Sequence, residues 1–166
     1  MADYEFFKKA YDFRGKHARM VSELWEKNNY EHTYFKRLLD VYIMGAVLGI
    51  RLDRKAEPDY APVEERTIYL EQMLGAKDEL DFIMQMMLML DDTGNKSADE
   101  CIRCAFKGAE SKEEFERYNK MFESYMLGGV EELYERLVLE GGENSGVGDD
   151  KTKDMMELFE RFKSHT

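Results

Sequence analysis

Few side chains in this chain stand at spacings that carry chemistry, and each such group falls short of a complete motif. Cys101 and Cys104 form a single Cys-x-x-Cys pair. A structural zinc site needs a second pair or matched histidines, and neither follows at a usable spacing. A thiol redox role needs a βαβ setting that the flanking pattern does not supply. On a helix the two cysteines share a face with Ala105, and they are expected as buried thiols. Asp91, Thr93, Asn95, Ser97 and Asp99 alternate in the manner of a calcium loop. The loop's sixth position calls for Gly and holds Lys96, and its twelfth calls for Glu and holds Ile102. A polar turn with a helix cap explains the same residues. His17, His32 and His165 form neither Glu-x-x-His nor His-Glu-x-x-His. No Gly-x-Ser-x-Gly elbow, P-loop or Gly-x-Gly-x-x-Gly is present, and the glycine-rich run 141–148 lacks the Lys and the preceding strand of a phosphate cradle. No catalytic residue, metal or cofactor is expected from these patterns.

The charged clusters offer binding rather than catalysis. Lys8, Lys9, Arg14, Lys16, His17 and Arg19 make the one basic cluster, interleaved with Tyr11 and Phe13. Such a cluster suits a phosphate, a nucleic-acid backbone or an acidic partner, or simply a solvated face paired with nearby Glu. Arg51 and Arg54 follow the most apolar helix and are candidates for the same anion- or partner-binding role, or for pairing with Asp53, Glu57 or Asp59. The acidic groups Glu113, Glu114, Glu116 and Glu131, Glu132, Glu135 read as solvated faces, with a DNA-mimicking surface as the sharper alternative. Methionine is frequent, at 12 of 166 residues. Met is adaptable, so Met84 and Met87 with Phe115, Tyr118, Phe122 and Tyr125 are candidates to line a groove for a partner helix.

The elements that must position these groups are helices. Two Pro and 12 Gly leave long uninterrupted stretches rich in Glu, Lys, Leu, Met and Ala. The centre is residues 35–52, which hold no charge from Val41 to Ile50 and carry apolar side chains all round the helical wheel. A helix of that kind is buried in protein or in lipid, and a run of ten falls well short of the roughly 20 residues a membrane span needs. The predicted helix extends over about 32–54, and Gly45 and Gly49 on one face let another helix approach closely. Residues 82–90 form the second apolar run and are the expected companion.

Around these two, the spacing predicts helices over 3–12 (Tyr4, Phe7, Tyr11), 16–28 (Ala18, Val21, Leu24, Trp25) and 62–74. Two capping boxes, Ser97 with Glu100 and Ser111 with Glu114, open helices over 98–107 and from 112 onward. Gly128-Gly129 is expected to kink or divide the latter before about 139. Residues 141–150 read as a flexible linker, and 151–164 as an amphipathic helix that docks on the bundle or on a partner.

The expectation is one all-α domain of about six to eight helices. Lys plus Arg number 24 against 35 Asp plus Glu, a net charge of −11 that repels nucleic-acid backbones outside the cluster at 8–19. The N-terminal stretch shows no apolar signal region, and a reducing, bacterial-type cytoplasm is expected. With no chemistry motif and with apolar and aromatic helix faces in surplus, the leading functional expectation is a small acidic adaptor. It would be non-catalytic, with another protein or a second copy as partner and no membrane. A bacterial regulatory or phage-defence assembly is the suggested setting, though no motif marks it. The alternatives are an acidic DNA mimic and a small-ligand-binding or enzymatic domain. The latter would have a pocket near Arg51, Arg54, Tyr60 and His17 or His32.

Overall fold

The computed structural model describes residues 4–25, 34–91, 94, 96–140, 156 and 158–160. The protein is an all-α single-domain bundle, with one two-stranded antiparallel sheet among the described residues. In chain order the elements are β1 (Tyr11–Arg14), α1 (Gly15–Leu24), α2 (Leu38–Leu52), β2 (Glu65–Ile68), α3 (Leu70–Gly75), α4 (Lys77–Met89), α5 (Ala98–Lys107) and α6 (Lys112–Leu133). The last helix loosens into a π-helical segment, Tyr134–Glu140.

The bundle is built on α2 against α6, and the contact is made backbone to backbone. A Cβ placed on Gly49 would fall on the Tyr125 carbonyl, and one placed on Gly129 would fall on the Gly45 carbonyl. Gly128 likewise faces the Arg54 carbonyl. The close-approach notch expected from Gly45 and Gly49 is therefore matched by a second one on α6. This corrects two expectations. The companion of α2 is α6, whereas α4 lies chiefly on α5 and touches α2 over a smaller area. Gly128-Gly129 does not divide α6, because its glycines serve packing rather than chain reversal. Val41, Ala46, Met126 and Val130 are fully buried along this interface region of the core.

α2 is shorter than expected. Residues 34–37 are not helical, and 32–33 lie outside the described residues. Its end is sharp: Asp53 takes a left-handed conformation (φ 51°), and the Arg54 N–H donates to Gly49 O at 2.9 Å. The Tyr125 hydroxyl donates to Asp53 Oδ1 at 3.0 Å, tying that end to α6. The helix is not buried on all sides, since Ile43, Met44, Val47 and Ile50 are only partly covered.

The described part of 3–12 is not helical. Phe7 has φ 61°, which stops a helix, and Phe6 and Phe7 instead lay their rings across α6 against Phe115, Tyr118 and Phe122. Tyr11 to Arg14 then pair with β2, with Tyr11 opposite Ile68 and Arg14 opposite Glu65. The predicted helix over 62–74 gives way to that strand, and only Leu70–Gly75 is helical. Thr67, Ile68 and the aromatics of β1 are good strand formers, and Phe13 and Ile68 both bury completely there.

The capping expectations have clear structural counterparts. Ser97 and Glu100 form the full reciprocal box. Ser111 accepts from the Glu114 N–H, but Glu114 reaches back to the N–H of Glu110 rather than that of Ser111. α1 ends at Leu24, and residues 26–28 of the predicted helix lie outside the described residues. So does the expected linker at 141–150, while Leu158 of the C-terminal helical stretch joins the core cluster. No helix among the described residues is long and apolar enough to cross a membrane.

Candidate functional site

The ionisable groups that come together most closely converge on Glu131 of α6. α1 brings His17, which is 1% exposed, with Nε2 3.0 Å from Glu131 Oε1. Lys16 Nζ stands 3.0 Å from the same oxygen. The loop after α2 brings Arg54, whose guanidinium bonds Glu132 and Glu135 and reaches Glu131 Oε2 at 3.4 Å. Arg136 closes the other side, donating to Glu132 and to Glu140. Helical periodicity puts Glu131 and Glu132 of α6 and Glu135 of the π-helical segment on one side, so that with Glu140 four carboxylates meet three cations and one imidazole.

These contacts set the charge states. Burial holds His17 below the usual imidazole value, outweighing the opposite pull of Glu131. Burial would raise Glu131 and Glu132, yet hydrogen bonds from Lys16 and His17, and from Arg136 and Arg54, keep both below the usual carboxylate range. Glu131 is thus an acceptor, and the His17 proton resides on Nε2. Hydrogen bonds that Arg54 donates to Glu135 and Glu132 hold it firmly charged against its partial burial.

The sequence-derived anion site is therefore divided and largely neutralised. Lys16, His17 and Arg54 share the Glu131 cluster, but Arg14 lies at the sheet, near Asp12 and Glu65 at 3.8 and 3.9 Å. Arg19 is exposed on α1, and Arg51 is exposed in the last turn of α2 with a partner of its own. The interleaving of Glu131, Glu132 and Glu135 with Lys16, Arg54 and Arg136 also removes those carboxylates from a DNA-mimicking face. Glu116 is similarly near Lys112.

The partner groove is corrected more sharply. Met84, Met87, Tyr118 and Phe122 are at most 2% exposed, and Tyr125 is nearly so buried. Only Phe115 is partly open, stacked on Phe6. What the groove's residues do is fill the core between α4, α6 and the N-terminal strap. Cys101 is buried and donates its thiol to the Asp91 carbonyl at 3.3 Å, and Cys104 is half-buried. Thr93 and Asn95 of the calcium-like stretch lie outside the described residues, as does His32. No group of three His, Cys, Asp or Glu among the described residues could hold a metal ion.

Outward-facing apolar side chains were missed by sequence reasoning. On α4, Phe82 is 60% exposed and Met89 is also open, with Leu90 following at 66%. On α5, packed against it, Ile102 and Phe106 are 46% and 70% exposed. The signal was present in the spacing. Leu80, Ile83, Met84 and Met87 make one buried helical stripe, which turns Phe82 and Met89 the other way. A run apolar on every side conceals which side faces water.

Of the residues expected around a pocket, Arg51, Arg54, Tyr60 and His17 or His32, only Tyr60 and His17 come together at one among the described residues. Both line a cavity of about 270 Å³ with Tyr11, Asp12, Arg14, Asp59 and Glu123. Arg51 and Arg54 are not in its wall. No family model matches the chain, and no curated protein or solved structure matches it.

Proposed function

We propose that this protein is a small acidic interaction subunit that docks on another protein through the outer faces of α4 and α5. The observation that carries this reading is the exposure of Phe82, Leu90, Ile102 and Phe106 on and beside two mutually packed helices. Single exposed apolar residues are ordinary, but several large ones on adjoining elements suit an interface. Burying one such side chain contributes about 1.5–3 kcal/mol. Four of them contribute roughly as much as association costs, so a polar rim must add the rest. The acidic first turns of both helices, Asp78 and Glu79 on α4 and Asp99 and Glu100 on α5, provide one. The partner that fits is an apolar cleft edged by Lys or Arg. The free thiols of Cys101 and Cys104 suit a reducing compartment such as the cytoplasm.

The test is a double variant, Phe82→Glu with Phe106→Glu, compared with the wild type by quantitative affinity recovery from cells that make the protein natively. Both side chains are exposed, so folding stability is expected to change by no more than about 0.5 kcal/mol. The expected result is a partner recovered by the wild type and lost from the variant. Equal recovery by the two proteins, or a wild type that is monomeric and recovers nothing, would remove the reading.

A further inference from the structure

A second cavity, of about 210 Å³, opens where the N-terminal strap, α2, α3 and α6 meet. Most of its wall is ring: Phe7, Tyr11, Tyr42, Phe115 and Phe122, with Met73 beside them. The rings hold one another in place. Phe7 meets Phe122 edge-on with centres 4.9 Å apart, and the Tyr42 ring lies 5.1 Å from that of Tyr11 and 5.8 Å from that of Phe122. A wall of this kind takes an aromatic guest by offset or edge-to-face contact.

Tyr42 is the anomaly in the wall. It is 4% exposed, and its hydroxyl makes no hydrogen bond among the described residues. Burial and the Glu123 carboxylate both push its pKa up, so the hydroxyl lies in the field of a carboxylate that itself lines the cavity. A buried hydroxyl left unpaired costs stability, and in a native protein it calls for an explanation. Asn119 is the second unpaired group. It follows Phe115 by one helical turn and precedes Phe122 and Glu123 by another, so all four stand on the stripe of α6 that lines the cavity. Its carboxamide is half-buried and has no partner among the described residues. Tyr42 and Asn119 therefore flank the same carboxylate, whose Oε1 takes the Tyr11 hydroxyl at 3.0 Å.

The charges in the wall cancel. Glu5 and Glu123 stand against Lys8 and Lys9, and Lys8 pairs with Glu5. The two unpaired groups, a hydroxyl and a carboxamide, each donate and accept. Their complement is an uncharged molecule with a ring for the apolar wall and a substituent that also donates and accepts. We propose that this cavity binds a small phenol, its ring among Phe7, Tyr42 and Phe122 and its hydroxyl bonded to the Tyr42 hydroxyl beside Asn119. An apolar cavity of about 150 Å³ takes benzene, so about 210 Å³ leaves room for the substituent. The site shares no side chain with the α4–α5 face and stands or falls separately from it.

The test is titration of phenol and of toluene into the full-length protein, followed by amide-resolved NMR, for the wild type, Tyr42→Phe and Asn119→Leu. Phenol should bind the wild type saturably, with shifts centred on Phe7, Tyr42 and Asn119. Tyr42→Phe keeps the ring and removes an unpaired hydroxyl, so its urea midpoint should not fall. It should weaken phenol by about fivefold, the range of one neutral hydrogen bond, and leave toluene unchanged. Asn119→Leu, at a half-buried position, should act in the same direction and does not depend on the first variant folding. Benzoate and benzylammonium keep the ring and add a charge, and should bind at least about tenfold more weakly than phenol. No saturation by about 10 mM phenol, a charged analogue as tight as phenol, unchanged phenol affinity in both variants, or equal loss of phenol and toluene in both would overturn the proposal.

Discussion

Replacing Gly129 by Ala is expected to destabilise the protein, although Ala is the better helix former by about 1 kcal/mol. The added Cβ would lie 1.7 Å from the Gly45 carbonyl oxygen and 2.5 Å from its carbon, whereas real Cβ contacts essentially never fall under 3.0 Å. The obstacle is backbone on a packed helix, so it cannot swing aside as a side chain would. α2 and α6 must separate by about 1.3 Å locally, and a radial gap of that size forfeits half or more of the dispersion well for each contact it opens. Core overpacking commonly costs about 1–3 kcal/mol, and a rigid obstacle belongs at the upper end. After the helix-propensity gain, a net loss of about 2 kcal/mol is expected. With a urea slope of about 2 kcal/mol per molar, the unfolding midpoint should fall by about 1 M, read by far-ultraviolet circular dichroism. Gly75→Ala is the control, because nothing lies within 4 Å of a Cβ there. It should be neutral or stabilise by up to about 1 kcal/mol. A Gly129→Ala midpoint at or above the wild type, alongside Gly75→Ala, would refute the backbone contact between α2 and α6.

Arg54→Ala removes the cation shared by Glu131, Glu132 and Glu135, and should cost about 1–3 kcal/mol in chemical denaturation. Arg54→Lys should recover only part of that, since an ammonium cannot reproduce the fork to Glu135. Stability should also fall in two stages on acidification. Burial lowers the folded His17 value, so below about pH 6.5 the unfolded chain takes up a proton that the native state refuses, and stability declines. Glu131 and Glu132 are held below their ordinary range by their cation partners. Their contribution is complete above about pH 4.5 and is lost as pH falls through the folded values. Urea titrations across pH 3–8 would display both stages, and a profile flat to pH 4 would contradict the placement of His17. Ser97→Ala should cost about 1 kcal/mol by removing the α5 cap, measurable as a lowered thermal midpoint.

The helices whose signals are local were legible in the sequence. Ser97 with Glu100 marked the start of α5, and Gly45 with Gly49 marked the close approach on α2. The partner of that approach was not legible, because Gly128-Gly129 carries the same composition as a chain break. Only the packing shows that both glycines face backbone. The two strands escaped for a related reason. Four residues are too few to establish a period, and the pairing of Tyr11 with Ile68 joins segments far apart in the chain. Phe7, spaced with Tyr4 and Tyr11 as if on a helix, serves with Phe6 as a strap over α6. For the sites, His17 and Tyr60 line one cavity, whereas Arg51 and Arg54, grouped with them from the sequence, do not reach it. His17 and Arg54 meet on Glu131, from which no local pattern distinguishes a partner across the bundle. The α4–α5 face was hidden because Phe82 to Leu90 is apolar throughout, and the exposed positions emerge only once the buried stripe is fixed by α5 and the core.

The central claim, that the outer faces of α4 and α5 meet another protein, is tested most directly by placing a photo-crosslinking phenylalanine analogue at Phe82 or Phe106. Lys120, exposed on α6, is the control position. In cells that make the protein natively, irradiation should give one shared adduct from positions 82 and 106 and none from 120. Adducts of equal yield from all three positions, or none from 82 and 106, would contradict it.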